Sequence, residues 1–316
     1  MIIETKRNIL KFYFATYFGF LFFSLLGTFM IKTFFDEIEE KGFEYKLLFM
    51  LIFGIAVIIL SFYTIFKYHK NAPFVKVFDK KIQINKKTIN FQDIKYIDLT
   101  GKMPFKYILT FPMEGCYILL KNEEEIFLYD DMYTNLWKIK DYLNSVYLKK
   151  EIYKLEKPQE IKKNIERFES FNFYSGNQIF SFRGLMLWGF LIPLSYGLLF
   201  VKQDENFNGY MLFGLFAVFW FYFSSWLMHY YGVSKKFLII KNTNLPWKEK
   251  IYFLDNIKEV VFECEGKMPN CLRVITHDFK SNLYPGATLS DKKWITLKKE
   301  LRSYGVIVRD ECINFD

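Results

Sequence analysis

The sequence predicts a membrane α-helical protein combined with α+β domains: four transmembrane helices form two hairpins, and each hairpin is followed by a small β-barrel or roll closed by a C-terminal helix. Three observations predict this class. Four runs of 18–20 residues contain no acid or base, namely Phe12 to Ile31, Leu47 to Phe66, Gly184 to Val201 and Tyr210 to Met228. The composition is 52% hydrophobic and 21% aromatic yet 24% charged, as expected when apolar segments alternate with ordinary globular sequence. The tetrapeptide Gly-Lys-Met-Pro occurs at 101–104 and again at 266–269, about half the chain apart, so the architecture reads as one unit repeated.

At about 1.5 Å of rise per residue, each apolar run is roughly 30 Å long, the thickness of bilayer hydrocarbon. The first run ends Gly-Thr-Phe-Met-Ile-Lys and lacks a small-residue cleavage pattern, so it reads as a retained anchor. Orientation follows from Lys and Arg at the run ends. Lys6, Arg7 and Lys11 precede the first run; Lys67, Lys70, Lys76, Lys80 and Lys81 follow the second. Lys157, Lys162, Lys163, Arg167 and Arg183 precede the third, and Lys235, Lys236 and Lys241 follow the fourth. Lys202 beside Asp204 and Glu205 is all that follows the third, whereas the loop after the first is more mixed, with Lys32, Lys41 and Lys46 among five acids. This bias places both termini and both globular domains in the cytoplasm. It also accounts for the net charge of +9, because anionic lipid attracts each nearby Lys or Arg by about 1 kcal/mol. Nucleic-acid binding is not needed to explain the charge.

The chain divides into a first hairpin (1–70), a globular domain (71–150), a helical linker (151–180), a second hairpin (181–230) and a second globular domain with a tail (231–316). In the first domain, Val75 to Ile84 alternates with period two and reads as one or two strands. Asn85-Lys86-Lys87 reads as a turn and Thr88 to Phe91 as the return strand. Ile94 to Leu99, Tyr107 to Phe111, Cys116 to Lys121 and Ile126 to Tyr129 follow as strands. Thr134 or Asn135 is placed to cap a helix running to about Lys154, with Leu136, Ile139 and Leu143 on one face. The second domain repeats the order: strands at 236–241, 250–254, 258–263, 272–277 and 282–284, then a helix capped by Ser290 that carries Trp294, Leu297 and Leu301. In the linker, Ile161, Ile165 and Phe168 share one helical face, which reads equally as an interfacial helix or a solvated one.

Asp79-Lys80-Lys81-Ile82-Gln83-Ile84, Phe91-Gln92-Asp93-Ile94 and Trp137 recur as Ser234-Lys235-Lys236-Phe237-Leu238-Ile239, Asp255-Asn256-Ile257 and Trp294. A strand-hairpin-strand followed by more strands and a Trp-bearing terminal helix resembles the pleckstrin-homology-like (PH-like) fold. Placed after a membrane hairpin, it looks like the bacterial PH-like membrane proteins. That resemblance implies basic residues of the first hairpin loops facing a lipid headgroup. The candidates are Lys80, Lys81, Lys86 and Lys87 in the first copy, with Lys235 and Lys236 in the second. The Lys-x-Arg spacing of phosphoinositide-binding loops is absent, which points to general attraction to anionic lipid.

Gly-Lys-Met-Pro reads first as a turn, because Gly and Pro punctuate chains. Read as a site, it would set Lys102 and Lys267 on a phosphate-facing rim. It is not a P-loop, having neither the upstream glycine nor the following Ser or Thr. His69 and His229, each just past a second apolar run, read as interfacial polar residues. With His277 they make no metal or acid–base set. Asp130-Asp131 reads as a solvated turn. Cys264 and Cys271 read as small buried hydrophobes rather than a disulfide or a zinc site. No catalytic constellation, metal site or cofactor is expected.

The four runs contain no Asp, Glu, Lys or Arg, which argues against a transporter or channel. The expectation is a non-enzymatic adaptor or sensor. Its cytoplasmic PH-like domains would bind anionic membrane lipid, a peptide or a protein partner, and self-association is compatible with it. The alternatives are a membrane-acting defence effector or toxin-immunity component and, third, a permeation or lipid-processing protein.

Overall fold

The computed structural model describes residues 2–153, 169–200, 207–264 and 269–312. The chain forms two compact units, Met1–Leu155 and Glu156–Asp316.

Unit 1 opens with a two-residue strand, β1 (Ile3–Glu4), before its helical hairpin of α1 (Ala15–Lys41) and α2 (Leu48–Asn71). With the turns that lead into them these helices cover Ile9–Lys41 and Tyr45–Asn71, long and apolar enough to cross a membrane. Only 11% and 17% of their apolar stretches are buried, so neither is the core helix of a soluble domain. The helices meet where neither has a side chain. A Cβ on Gly27 would stand 2.6 Å from the Gly54 carbonyl oxygen, and one on Gly54 would stand 2.9 Å from that of Gly27. One turn away Ser24 and Ser61 join their hydroxyls across the pair at 2.9 Å. Gly42, at φ 81°, ends α1 by donating its N–H to Ile38.

After the hairpin come β2 (Val75–Phe78), β3 (Lys81–Ile84) and β4 (Lys87–Asn90), giving a sheet of order β1-β2-β3-β4. Val75, Val77, Ile82 and Ile89 face the core, as period two requires. Asp79 and Lys80, at φ 42° and 60°, turn β2 into β3 with the twist that a two-residue hairpin favours. A single 3-10 turn, Phe91–Asp93, leads to β5 (Ile94–Asp98), β6 (Lys102–Lys106), β7 (Thr110–Leu120) and β8 (Glu125–Tyr129). β5 and β8 flank the C-terminal half of β7, and β6 pairs only with its N-terminal half. The helix α3 (Leu136–Tyr142) then buries Leu136 and Ile139 and gives way to a π-helical turn, Leu143–Leu148.

Unit 2 follows the same order. β9 (Asn172–Tyr174) precedes the helices α4 (Phe182–Phe200) and α5 (Phe207–Trp226), which touch through Phe190 on Phe216 and Trp220. Next come β10 (His229–Val233), β11 (Phe237–Asn242) and β12 (Glu249–Phe253), in a sheet of order β12-β11-β10-β9. The 3-10 turn Leu254–Asn256 leads to β13 (Ile257–Glu263), β14 (Cys271–Thr276) and β15 (Ser281–Pro285). The helix α6 (Asp291–Ser303) seats Trp294, Leu297 and Leu301 in the core, with the Trp294 ring against Tyr231 and Phe262. Last comes β16 (Val308–Asp310), parallel to β13.

In both units the strand before the helical hairpin pairs antiparallel with the strand after it: Ile3 opposite Val77, and Tyr174 opposite Tyr231. Each globular body is therefore laced across the base of its own hairpin. β9 lies within the segment read as linker, and the stretch holding Ile161, Ile165 and Phe168 lies outside the described residues. The repeat also slips by one residue against the sequence reading. Val77 opposes Ile82 and Val233 opposes Leu238, so Ile82 corresponds to Leu238 and not to Phe237. On the closing helices, the spacing of Trp294, Leu297 and Leu301 is matched by Leu136, Ile139 and Leu143, all buried. Trp137 stands beside that face, half-buried, with the Lys138 ammonium 5.4 Å from its ring.

Gly-Lys-Met-Pro at 101–104 is not a turn. Gly101 is a bend, and Lys102, Met103 and Pro104 lie in β6, with Pro104 directly opposite Pro112 of β7. Two facing prolines fit a non-hydrogen-bonded pair, where neither N–H is missed. The turn is instead made by Tyr107, Ile108 and Leu109, read from sequence as the start of a strand. In the second copy Gly266, Lys267 and Met268 lie outside the described residues.

Candidate functional site

The densest convergence of polar and aromatic groups in unit 1 lies where the hairpin enters the globular body. Thr5 N–H donates to the Val75 carbonyl at 2.8 Å, and Val75 N–H returns a bond to Thr5 Oγ1 at 2.9 Å. Asn135, one of the two expected caps with Thr134, stands at the N-cap of α3, but its side chain accepts from Lys6 N–H at 2.6 Å and donates to the Glu4 carbonyl at 2.7 Å in place of a bond to the helix. The buried Arg7 guanidinium donates twice to the Ala72 carbonyl, at 2.9 and 2.6 Å, and its third nitrogen meets His69 Nδ1 at 3.0 Å. Ala72 is the C-cap of α2, so this cation sits at the negative end of a helix dipole. It is sandwiched between the rings of Phe12 and Phe74, at 4.6 and 4.1 Å. The Tyr17 hydroxyl meets the other ring nitrogen of His69, Nε2, at 3.1 Å, Tyr133 donates to the Pro73 carbonyl at 2.6 Å, and Lys11 pairs with Asp131. Asp131 is thus an anchor between α1 and the globular body, not a solvated turn residue.

The lysines expected to face a ligand do not converge. Lys80 and Lys81 stand at the β2–β3 turn, and Lys86 and Lys87 at the β3–β4 turn, the opposite end of the four-residue strand β3. All four are exposed, and Lys87 pairs with Glu124. Lys235 and Lys236 form the exposed β10–β11 turn, where Ser234 Oγ accepts from the backbone of Lys236 and Phe237. Lys102 is half-buried, opposite the fully buried Glu114 in the ladder. It is therefore no exposed phosphate-facing cation. Lys267 lies outside the described residues.

Two buried ion pairs escaped the sequence reading. Asp130 meets Lys140 of α3 at 2.5 Å with both side chains almost fully enclosed. Their neighbour Cys116 has its thiol pushed up to about 12 by burial, against the pull of the Lys140 charge. In unit 2 Arg273 grips Glu263 in a two-pronged contact, at 2.5 and 3.3 Å, and adds Ser281 Oγ at 3.0 Å. A signal existed for each. Lys140 falls on the apolar face of its helix, and Arg273 interrupts the apolar run of β14.

Two further expectations need correction. Cys264 is bonded to Cys312, with Cα atoms 5.0 Å apart, because β16 returns parallel to β13; Cys116 and Cys271 are the buried free thiols. His229 is not interfacial but buried in β10, with Nδ1–H donating to the Pro285 carbonyl at 3.1 Å. Burial pushes its pKa down to about 4, only partly offset by that bond. The unfolded chain takes up this proton below about pH 6.5 while the fold resists it until about 4. Unit 2 should therefore lose on the order of 3 kcal/mol as pH falls through that window. Thermal unfolding of His229→Asn at pH 7 and pH 4.5 checks this. The variant is expected to lack that part of the wild-type acid loss, and an unchanged loss would contradict the assignment.

Among the described residues no group of three or more His, Cys, Asp or Glu is arranged to hold a metal ion. No protein-family model matches the chain, and no curated protein matches it.

Proposed function

We propose that the chain is a polytopic membrane protein of the bacterial PH-like type, with four membrane-crossing helices holding two PH-like units at the cytoplasmic face. There it would act as a non-enzymatic adaptor or sensor for anionic lipid or a protein partner. The observation that carries this reading is the pairing of β1 with β2 and of β9 with β10. A strand on each side of a hairpin, joined in one sheet, forces both ends of that hairpin to the same side of any membrane it crosses. The apolar faces of α4 and α5 support a second crossing pair beside α1 and α2, although Pro193 interrupts α4. The Lys and Arg bias supports the cytoplasmic side. The Cys264–Cys312 bond argues for an oxidising compartment instead. The charge bias outweighs it, because it acts at both hairpins, whereas the disulfide is a single pair in unit 2.

Exposed Lys80, Lys81, Lys86, Lys235 and Lys236 supply the lipid attraction in this reading. They lie at three separate turns, which fits diffuse attraction to a charged surface better than a single headgroup pocket. Full-length protein extracted in mild detergent is expected to retain anionic phospholipid. Changing all five lysines to Gln should cut the retained amount severalfold, measured by mass spectrometry of the bound lipid. Equal retention by the variant would remove lipid from the reading and leave a protein partner.

A further inference from the structure

β7 is twice as long as the sheet it belongs to. Its first half pairs with β6 alone, forming an arm of five residue pairs, from Lys102 opposite Glu114 to Lys106 opposite Thr110. Its base is held against the body, with Met103, Phe105 and Glu114 buried and Tyr129 of β8 donating to the Pro104 carbonyl at 2.7 Å, so what projects is the outer end of the arm. It does not stand in open solvent but runs along α2. Asn71, the last residue of that helix, donates to the Lys106 carbonyl at 2.9 Å. Tyr68, one turn back, packs its ring on Phe105 and Tyr107 at 5.4 and 5.9 Å. A further turn back, Thr64 shares a hydroxyl hydrogen bond with Tyr107, and Tyr63 donates to the Tyr107 carbonyl at 3.3 Å. From Asn71 to Tyr63 the contacts climb about 12 Å along the helix axis, and Ile108 and Leu109 lie just past Tyr107 at the tip.

That tip has the wrong chemistry for water. Hairpin turns in solvent are made of Gly, Asn, Asp or Ser, yet here two aliphatic side chains stand 58% and 73% exposed, with Phe111 behind them at 39%. Around the tip are the side chains that gather where a bilayer meets water. They are the rings of Tyr63, Tyr68 and Tyr107 and the amines of Lys67 and Lys106, with the Lys67 ammonium 5.4 Å from the Tyr63 ring. The connection in unit 2 is shorter: residues 99–114 separate β5 from the paired core of β7, whereas 264–270 separate β13 from β14.

We propose that the β6–β7 arm is a membrane-dipping hairpin whose tip, Ile108 and Leu109, lies in the lipid interface alongside α2. The partner is the bilayer itself, and the proposal rests on the reading that α2 crosses it. The arm fixes the depth and tilt of unit 1, holding it against the membrane surface as a second attachment besides the hairpin. Tyr107 is the positioning residue, since it alone bonds the arm to α2 through both its hydroxyl and its carbonyl.

The test uses full-length protein, purified without reductant so that its cysteines stay buried or paired. It is reconstituted in phosphatidylcholine/phosphatidylglycerol vesicles after attachment of an environment-sensitive fluorophore at Leu109→Cys. Ile59→Cys, on the exposed face of α2, and Lys121→Cys, at the β7–β8 turn, serve as references. Lipid carrying a quencher high on its acyl chain is expected to quench position 109 at least about twofold more than position 121, while aqueous iodide does the reverse. If position 59 is quenched by lipid and position 109 by iodide, the arm is solvent-borne and the proposal falls while the spanning helix stands. If iodide reaches position 59 too, the spanning reading itself is lost. A label at 109 shielded from both quenchers would mean that the tip packs on protein, which also overturns the proposal.

Discussion

Replacing Arg273 with Met is expected to cost unit 2 about 3–5 kcal/mol, among the largest losses a single side-chain change can bring. The guanidinium and the Glu263 carboxylate are 0% and 1% exposed, so neither keeps a useful share of its hydration. What holds them is mutual: two nitrogens on two oxygens, and a third nitrogen on Ser281. With the guanidinium gone, Glu263 keeps the desolvation penalty and loses the charge that offset it. A domain of this size has about 5–15 kcal/mol in total, so the variant should approach its unfolding threshold. Hydrogen exchange of the full chain is the suitable measurement. Protection of β13 and β14 amides should fall about 10²–10⁴-fold with unit 1 unaffected. Adding Glu263→Met should restore most of the loss, because an apolar pair can fill the same space. Single and double variants of equal stability would show that the pair is not the determinant.

The second large effect is expected at the helix crossing of unit 1. In lipid there is no hydrophobic force to press α1 against α2, so their contact depends on close approach and interhelical hydrogen bonding. Gly27 and Gly54 provide the approach and Ser24 and Ser61 the bond. A Leu at position 27 would run into the Gly54 carbonyl and the Ile58 side chain, and one at 54 into Ile31. Each should cost about 1–3 kcal/mol and splay the helices. The readout is disulfide closure between Ser24→Cys and Ser61→Cys in membranes. It should be rapid in the parent and slowed about tenfold or more by Gly27→Leu or Gly54→Leu. Undiminished closure would mean that the helices touch elsewhere.

Much of this fold could be read from the chain because its signals are periodic. Val75, Val77, Ile82 and Ile89 alternate as strands must, and the uncharged runs at 12–31 and 47–66 stand out from their flanks. What escaped had no period to show. β1 is two residues long and β9 three, and both are strands only because a partner strand on the far side of a helical hairpin holds them. Gly101 and Pro104 suggested a turn because such residues punctuate chains, yet Pro104, facing Pro112 across an edge pair, leaves no ladder bond unmade. The matched Trp137 and Trp294 misled by one residue, since helical packing follows the face and Leu136 occupies the place of Trp294. The site residues were least legible. Lys80 to Lys87 looked like one basic loop, but a four-residue strand sends its two turns in opposite directions. Arg7, Asp131 and Asn135 carry no motif, and their roles exist only once residues 3–8 are brought against 132–135.

The central claim is that each globular unit is laced across the base of a membrane hairpin, with both units on the cytoplasmic face. Labelling of single cysteines by an impermeant maleimide in intact and permeabilised bacteria tests it most directly. Three exposed positions suffice: Phe43 between α1 and α2, Lys121 in unit 1 and Lys292 on α6 of unit 2. The account predicts that Phe43→Cys reacts in intact cells, while Lys121→Cys and Lys292→Cys react only after permeabilisation. Opposite behaviour of Lys121→Cys and Lys292→Cys, or external labelling of both with Phe43→Cys protected, would contradict it.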